Sequence, residues 1–576
     1  MKKDKRLALA LVAVIGVSLC ACKSEGSSDT SKKETSSEES TVSSTSETSE
    51  VTETSSIEIS EDTQTETTEQ SESEETSVEE TTTEQTETTE AETTQTEPSL
   101  PDFTLPEDFE YNNSLSYLNM KKETNERVFG AISPLSDLSN PKVMYVSENS
   151  EQFIIKVNGF DALKEKVNTV FSEIVQKYDD EYDASYAKLQ KALEQKDEIE
   201  NAFFDYDAEV TRADNAICSF YTLERGNSTS SYKYNSYNFL SSTGEEILFD
   251  DVITDRDKFC DILEPVITNY YNDQATVDQA LASARKGSIP FNLCYDGIYV
   301  HVGGRSYKIS AIENEQLFNM KYFGHTPENY LIEANRSNEI YWDITGNQTT
   351  DLITCHADYD DEDLRQLTIS VNSVDSVFTV DDLGVLPWYA YPKTMYLMKT
   401  DFGFGICIEI SGEETYCEVL TFAINGDYTI SYLDSESGIL EGQPYNPESF
   451  IIWDYTNIAG AGYSRGEYSL VGTEGCLKNV DSYFSKTGNL VVAKKDITGK
   501  PDSENDQETD SVIISKNSIV DIYGYNTEEH ILYARILGEN EGEYIQVRIP
   551  YEKVEYQVLI EGEDPKDLFY GLYYGG

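Results

Sequence analysis

The feature that most limits how this chain can fold is a low-complexity tract over residues 23–100, composed almost entirely of Ser, Thr and Glu. The tract has no aromatic residue, and residues 21–100 carry 23 acidic residues against 3 lysines. Ordering such a segment costs roughly 1–2 kcal/mol per residue in backbone entropy, and little apolar surface is present to offset that cost. Repulsion between the carboxylates favours extended conformations. We therefore predict a long disordered N-terminal tether at 23–100, with the folded part beginning near residue 101.

The first residues have the order of a bacterial secretory signal. Four basic residues within the first six precede an apolar run over 7–20, and that run is shorter than the roughly 20 residues a membrane-spanning helix needs. It ends in Leu19-Cys20-Ala21-Cys22, which resembles the bacterial lipobox. The resemblance implies a lipoprotein signal peptide at 1–22 and acylation of Cys22. We therefore expect the lipid bilayer to hold the chain at the extracellular face of the cell membrane; an ordinary secretory peptide is the alternative.

The charge of the chain excludes one class of partner. The whole sequence carries −64. The signal contributes roughly +3 and the tether roughly −20, so residues 101–576 keep about −47. A surface this acidic repels nucleic acid and anionic lipid headgroups. We expect no nucleic-acid partner.

The cysteines and histidines offer little for metal chemistry. Beyond the lipobox there are seven cysteines: Cys218, Cys260, Cys294, Cys355, Cys407, Cys417 and Cys476. They are widely spaced and odd in number, and no CxxC pair or zinc pattern is present among them. The whole chain has 4 histidines. We predict small buried thiols, with one or two disulfides as the alternative outside the membrane.

Residues 101–335 have the pattern of an α+β domain. A helix is predicted from Asp161, where apolar residues recur every three to four positions, and a more polar helical stretch at about 181–202 follows. Another helix is predicted at about 256–271. The predicted strands of this domain are 152–157, 203–210, 216–223, 291–300 and 306–309.

One segment of this domain resembles a known family. Tyr237-Asn238-Phe239 is predicted to lie in a strand, Thr243-Gly244 is a hairpin-turn signal, and the stretch after it is predicted to be a second strand that ends in the acidic residues up to Asp251. Residues 110–330 resemble the extracellular α+β domain of unknown function found in a lysozyme-sensing anti-sigma factor and in some peptidoglycan deacetylases. The later Ile298-Tyr299-Val300 strand also has a counterpart in that family. The resemblance implies a role in binding, since the deacetylase activity of those relatives belongs to a separate domain.

The second half of the chain is predicted to be β-rich. Alternating apolar runs joined by turns such as Asn425-Gly426 predict a β-rich domain at 336–480. Residues 481–576 contain short alternating strands, and the run 519–549 resembles a bacterial SH3-like module. The predicted fold class is therefore an α+β N-terminal domain followed by β-rich domains, of which the last is a small SH3-like barrel.

A candidate calcium loop lies near the start of the second half. The segment 343–352 resembles the Asp-rich calcium loop of propeller-like repeats, in which oxygen ligands stand at positions 1, 3, 5 and 9. The matching residues here are Asp343, Thr345, Asn347 and Asp351. Calcium takes six to eight oxygen ligands and favours carboxylates. Two carboxylates make the loop a reduced version, and a simple turn is the alternative; no other cofactor is predicted.

The sequence offers little support for an enzyme. Residues 462–466 match the GxSxG pattern of a nucleophile elbow, but a strand-like run rather than a helix follows, and His530 is the one histidine downstream. The 40 tyrosines are typical of strands and of binding surfaces. We predict a non-enzymatic surface module that binds cell-wall, protein or host ligands. The alternatives are an envelope-sensing regulatory protein and a hydrolase of envelope polymers.

Overall fold

A computed structural model describes residues 115–137, 139–225, 233–271, 273–412, 416–502, 511–554 and 557–574. Over these residues the chain is mostly β-sheet with few helices. The predictions made for the signal, for Cys22 and for the tether lie outside the described residues. No helix in the described ranges combines the length and the hydropathy needed to cross a membrane.

The first unit is a five-stranded sheet with one long helix. Its elements are β1 (Met120–Ile132), β2 (Val143–Ile155), α1 (Asp161–Gln195), β3 (Ala202–Ala213), β4 (Ile217–Arg225) and β5 (Lys233–Leu240). The strand order is β1-β2-β3-β4-β5, and only β2 and β3 run parallel because α1 forms the crossover between them. Apolar residues of α1 such as Leu163, Phe171 and Tyr182 are buried against the sheet. Lys196 ends the helix in the left-handed conformation with φ 53°.

A helical unit follows the first sheet. It contains α2 (Phe249–Val252), α3 (Arg256–Thr268), α4 (Gln274–Lys286) and the three-stranded sheet β6 (Phe291–Leu293), β7 (Gly297–Val302) and β8 (Arg305–Ser310). The side chain of Asp255 caps α3 and that of Asp273 caps α4. Two single 3-10 turns, Glu315–Leu317 and Met320–Tyr322, complete the unit.

Two antiparallel sheets form the middle of the chain and share one apolar core. The strands and the one short helix are β9 (Tyr330–Glu333), β10 (Glu339–Trp342), β11 (Asp351–Asp360), β12 (Asp363–Val371), β13 (Val374–Thr379), α5 (Val380–Leu383), β14 (Tyr391–Thr400), β15 (Gly403–Ser411), β16 (Cys417–Ile424) and β17 (Ile430–Ser437). One sheet has the order β10-β11-β12-β13 and the other β17-β16-β15-β14-β9. Buried residues alternate with more exposed ones along β11, β12 and β13, as expected for a sheet with one buried face. The central residues of β14, β15 and β16 form continuous buried runs, because the second face of their sheet packs against residues such as Leu440, Phe450 and Ile452.

The last unit is a ten-stranded sheet with a small hairpin. Its elements are β18 (Ile439–Leu440), β19 (Phe450–Thr456), β20 (Gly462–Ser469), β21 (Lys478–Ala493), β22 (Ile497–Pro501), β23 (Val512–Ile514), β24 (Ile519–Asn526), β25 (Ile531–Leu537), β26 (Tyr544–Pro550), β27 (Glu552–Val554), β28 (Gln557–Leu559), α6 (Pro565–Leu568) and β29 (Phe569–Tyr570). The main path is β18-β19-β20-β21-β24-β25-β26-β22-β23, with β29 beside β21. The sheet is continuous across position 480, where β21 passes from β20 to β24. The SH3-like barrel at 481–576 stays a prediction.

Several local predictions are corrected by the structure. Residues 161–195 form one helix rather than two, because Tyr182 and Leu189 continue the buried stripe through the polar stretch. The acidic stretch predicted as a strand forms the short helix α2, since the Asp251 carboxylate accepts the Leu248 N–H in 2.8 Å and so closes a helical turn. All seven predicted thiols are free, and five of them are buried.

Candidate binding cleft

A cleft of about 560 Å³ lies between β1 of the first sheet and strands β19–β21 of the last sheet. Five charged side chains meet at the cleft and form what we call the charged cluster. Its members Lys122 on β1, Glu209 on β3, Glu441 after β18 and Arg465 on β20 line the floor, and Glu151 on β2 is fully buried against Lys122 and Arg465. The charged cluster therefore joins the first sheet to the last one. Members of the cluster that contact each other are separated by up to 319 positions in the sequence.

Lys122 is the centre of the charged cluster. Its ammonium donates to Glu441 Oε1 at 2.7 Å, to Glu151 Oε2 at 2.9 Å and to Glu209 Oε1 at 3.3 Å. An ammonium has three donors. Each donor of Lys122 is thus used by a carboxylate on a different segment of the chain.

Arg465 is the second cation of the cluster. Its Nε donates to Glu441 Oε2 at 2.8 Å, its Nη2 donates to the same carboxylate, and Nη2 also reaches Glu151 Oε1 at 2.8 Å. The Trp453 indole N–H donates to Glu441 as well, and the guanidinium lies 5.2 Å from the centre of the Trp453 ring. Such paired and stacked contacts fix the guanidinium plane. The floor of the cleft is therefore rigid.

Glu209 is the least compensated carboxylate of the cluster. Its contact with a cation is the 3.3 Å one to Lys122, whereas Glu151 contacts both Lys122 and Arg465 and accepts the Ala208 N–H at 3.1 Å. The backbone at Gly442 has φ +61°, and a Cβ there would stand 2.2 Å from Glu209 Oε2. Only glycine suits both the conformation and the space at this position.

Glu209 and Glu441 titrate differently because their partners differ. Burial raises the pKa of Glu209 to about 8, and Lys122 offsets this rise only in part, while Glu441 and Glu151 add to it. Burial also acts to raise the pKa of Glu441, but Lys122 and Arg465 lower it well below its usual range. Three carboxylates against two cations leave one excess negative charge. Protonation of Glu209 near neutral pH removes that excess.

This titration predicts how stability depends on pH. A carboxyl whose pKa is higher in the folded than in the unfolded state binds its proton more tightly when folded, so it destabilises the fold at high pH. We expect the free energy of unfolding to increase as the pH falls from about 9 towards the unfolded carboxyl pKa of about 4.3. The measurement is urea unfolding across this range. Glu209→Gln should flatten the trend, and an unchanged slope in that variant would contradict the assignment.

The carboxylates of the cluster also satisfy the geometry of a cation site. Glu151, Glu209 and Glu441 each offer an oxygen within 4.8 Å of the others. The Lys122 ammonium already lies among those oxygens. The Lys122 ammonium thus supplies the positive charge that a bound metal ion would otherwise supply at these carboxylates.

The walls above the charged cluster are mixed in polarity. Exposed Lys121 on β1 and Lys156, just after β2, line the cleft from the first sheet, and Glu467 on β20 with Asp481 and Tyr483 on β21 line it from the last sheet. Gln443 is held by the Tyr221 hydroxyl, which donates to its Oε1 at 2.8 Å. Amine, carboxylate, amide and phenol groups therefore all line the walls of the cleft, and this composition fits polar ligands.

Three of the predicted calcium residues, Asp343, Thr345 and Asn347, lie in the loop before β11, and the fourth, Asp351, is the first residue of that strand. Asp343 Oδ1 accepts the N–H of Thr345 at 3.1 Å, of Gly346 at 2.7 Å and of Asn347 at 3.2 Å. Asp351 is buried and its Oδ2 accepts the Ile344 N–H at 2.9 Å. Both carboxylates thus organise the loop by accepting backbone N–H groups. Calcium binding at Asp343, Thr345, Asn347 and Asp351 stays a prediction.

The GxSxG segment lies inside strand β20. Ser464 is buried, donates to the Asp454 carbonyl at 3.2 Å and accepts from the Tyr525 hydroxyl at 3.0 Å. A nucleophile elbow requires a sharp turn between a strand and a helix, so this serine is structural. The residue that matters for the cleft is its neighbour Arg465, to which no sequence motif points.

Comparison with protein-family models and with curated proteins finds no match. Among solved structures, the chain is similar to two DUF3298 family proteins. A member from Bacteroides fragilis is 14% identical with a TM-score of 0.26, and the match covers 35% of this chain and 96% of that one. A protein from Pseudomonas aeruginosa is 9% identical with a TM-score of 0.22, and the match covers 37% of this chain and 99% of that one. These neighbours belong to a family of unknown function, and a likeness at this level carries no argument about activity.

Proposed function

We propose that this chain is a lipid-anchored extracellular surface protein whose folded part is a non-enzymatic binding module. The predicted signal peptide, Cys22 and the acidic tether support the anchored location. The observation that carries the binding role is the cleft with its charged cluster. A floor fixed by internal ion pairs loses little conformational entropy when a ligand binds, so contacts made by the walls contribute more fully to affinity.

The ligand class that best fits the cleft is cell-wall material. Wall glycans carry hydroxyl and amide groups, and wall peptides carry both carboxylates and amines. Lys121 and Lys156 can bind carboxylates, Glu467 and Asp481 can bind amines or hydroxyls, and Tyr483 offers a ring face for a sugar. A secreted protein or a host molecule is the wider alternative within the same binding role, and envelope sensing would use the same cleft.

One observation favours a second candidate, a hydrolase of envelope polymers. A pKa of about 8 keeps Glu209 protonated at neutral pH, as a general acid requires. The binding role is preferred because Glu151 and Glu441 are both held in ion pairs with Lys122 and Arg465. A second carboxylate that is neutralised in this way is poorly suited to act as base or nucleophile.

The last strands extend the proposal to a second contact. Strands β24, β25 and β26 are consecutive and antiparallel, which supports the SH3-like module proposed for 481–576. SH3-like modules bind short peptides, and the same role is proposed here by analogy of fold alone. We propose that this region adds a contact to wall peptides.

The first test is co-sedimentation of the chain from Lys23 onward with purified cell-wall sacculi. We expect the protein to pellet with the sacculi, and Lys121→Gln combined with Lys156→Gln to weaken pelleting about fivefold through lost charge pairing. Lys166→Gln, on the exposed side of α1, is the matched control and should bind like the wild type. A wild-type protein that stays in the supernatant would refute wall binding.

Two additions to this test separate the remaining alternatives. Pelleting that requires millimolar calcium in the wild type and is lost in Asp343→Asn would support the calcium loop. Release of soluble wall fragments by the wild type but not by Glu209→Gln would support the hydrolase and contradict the binding role.

A further inference from the structure

Four aromatic side chains outside the cleft are about half exposed and form what we call the aromatic patch. Their exposed fractions are 49% for Tyr359, 50% for Trp388, 51% for Tyr389 and 47% for Tyr391. The strands that carry the first and last rings, β11 and β14, contact each other, and burial raises the pKa of Tyr359 with further contributions from Cys355 and Tyr391. Exposed apolar side chains that gather in one place mark interaction sites, whereas isolated ones need no explanation.

The aromatic patch joins the loop before β14 to the turn between β11 and β12. The Leu364 N–H donates to the Pro387 carbonyl at 2.9 Å, which fixes the loop against β12. Tyr389 and residues 361–363 line a common surface hollow. The rings and the acidic turn therefore form one continuous surface.

The backbone that carries the aromatic patch is held in place. Val385 and Ala390, at the two ends of the loop, are buried. Between them the Leu386 N–H donates to the Tyr416 hydroxyl at 2.8 Å, and the Ala390 N–H donates to the Pro387 carbonyl at 3.3 Å. Aromatic side chains on a fixed backbone bury large areas at low cost in conformational entropy.

The edge of the aromatic patch is strongly acidic. The six consecutive positions 358–363 around the turn hold Tyr359 and five carboxylates: Asp358, Asp360, Asp361, Glu362 and Asp363. Asp360 pairs with Arg365 at 2.9 Å, and Asp358 accepts from Gln366 at 2.6 Å. Within the described part of the chain, no cation forms an ion pair with residues 361–363. Three carboxylates beside the rings are therefore left uncompensated by the protein.

Rings and uncompensated carboxylates together select a cationic partner. Arginine and lysine bind aromatic faces through cation–π contacts and bind carboxylates through charge-assisted hydrogen bonds. A neutral sugar would use the rings but leave the carboxylates uncompensated, and an anionic polymer would be repelled. The acidic field of the whole folded part would also speed the approach of a basic partner.

We propose that the aromatic patch and its acidic edge form a docking surface for an arginine- and lysine-rich segment of another protein. The rings accept the guanidinium and ammonium groups on their faces, and residues 361–363 bind the charges at the edge. This surface is separate from the cleft, and its role does not depend on the role of the cleft.

The test is fluorescence anisotropy with the chain from Lys23 onward and a labelled peptide of alternating arginine and alanine, at near-physiological salt. We expect saturable binding that Trp388→Ala weakens about tenfold, in line with the loss of a central aromatic anchor. Asp361→Asn combined with Glu362→Gln should weaken it about fivefold. The matched control, Asp261→Asn combined with Glu264→Gln, removes the same charge from the exposed side of α3 and should leave binding within about twofold of the wild type.

The outcomes separate a built surface from simple charge attraction. Equal losses in the α3 control and in the 361–362 variant would overturn the proposal, because they would show binding by net charge alone. Competition by a neutral soluble glucan but not by unlabelled peptide would also overturn it, in favour of a sugar platform. Trp388→Phe guards against misfolding, since it should keep most of the affinity that Trp388→Ala loses.

Discussion

Replacing Lys122 by methionine is expected to lower the free energy of unfolding by about 3–5 kcal/mol, the usual effect of removing one partner from a buried ion cluster. Methionine keeps the length of the side chain but removes the charge that faces Glu151, Glu209 and Glu441. Those carboxylates would then share the single cation of Arg465. Urea unfolding at neutral pH measures the loss.

The same variant is expected to gain a response to divalent cations. Three carboxylate oxygens within 4.8 Å of one another, freed of the ammonium, provide a hard-oxygen site. Millimolar calcium should raise the free energy of unfolding of the Lys122→Met variant by about 1–3 kcal/mol, because calcium binds preferentially to the folded state. In the wild type the Lys122 ammonium occupies this position, and calcium should not stabilise the cluster. Lys156→Met, which removes an exposed ammonium paired with Glu123 at 3.3 Å, should stay close to the wild type. A Lys122→Met protein as stable as the wild type would show that the cluster contributes nothing.

Replacing Asp214 by asparagine is expected to destabilise the fold by a similar amount, about 3–5 kcal/mol. Arg212 and Asp214 are both fully buried, and Arg212 Nε donates to Asp214 Oδ2 at 2.7 Å. The other oxygen of Asp214 accepts the N–H groups of Ala216 and Ile217, each at 2.8 Å. Asparagine would leave the guanidinium without its counter-charge inside the protein.

This pair also ties two units together, so its loss should be felt in both. Arg212 Nη1 donates to the Tyr322 carbonyl at 2.7 Å, which links β3 of the first sheet to the end of the helical unit. Thermal unfolding followed by circular dichroism should show one transition at lower temperature. Arg212→Met combined with Asp214→Asn should recover part of the loss, because no uncompensated charge is then buried. A double variant that is less stable than Asp214→Asn would contradict this account.

The sequence predicted elements whose signals are local. The apolar spacing from Asp161 predicted the start of α1, and Thr243-Gly244 correctly marked a turn, where Gly244 has φ +66°. The second half was predicted to be β-rich and is. Asp161 is the first helical residue of α1 and not its N-cap. The N-cap is Phe160, whose side chain makes no capping hydrogen bond.

The charged cluster could not be predicted because its signal is not local. Glu441 and Lys122 are 319 positions apart, and acidic residues are so common in this chain that no single one stands out. The one motif near the cleft, GxSxG, directed attention to Ser464, which is buried in β20, and away from Arg465 beside it. Contacts of this kind follow from the pairing of distant sheets, which periodicity does not encode.

The span of the charged cluster along the chain also sets the order in which the protein can mature. A ribosome produces residues 120–155 and their sheet partners long before Arg465 exists, so Glu151 lacks its contact with Arg465, which is 314 positions further along the chain, until most of the chain has been synthesised. Contacts this distant in sequence close late and slow the folding of β-rich chains. We therefore expect the first sheet to reach its final packing only after the last sheet has folded against it.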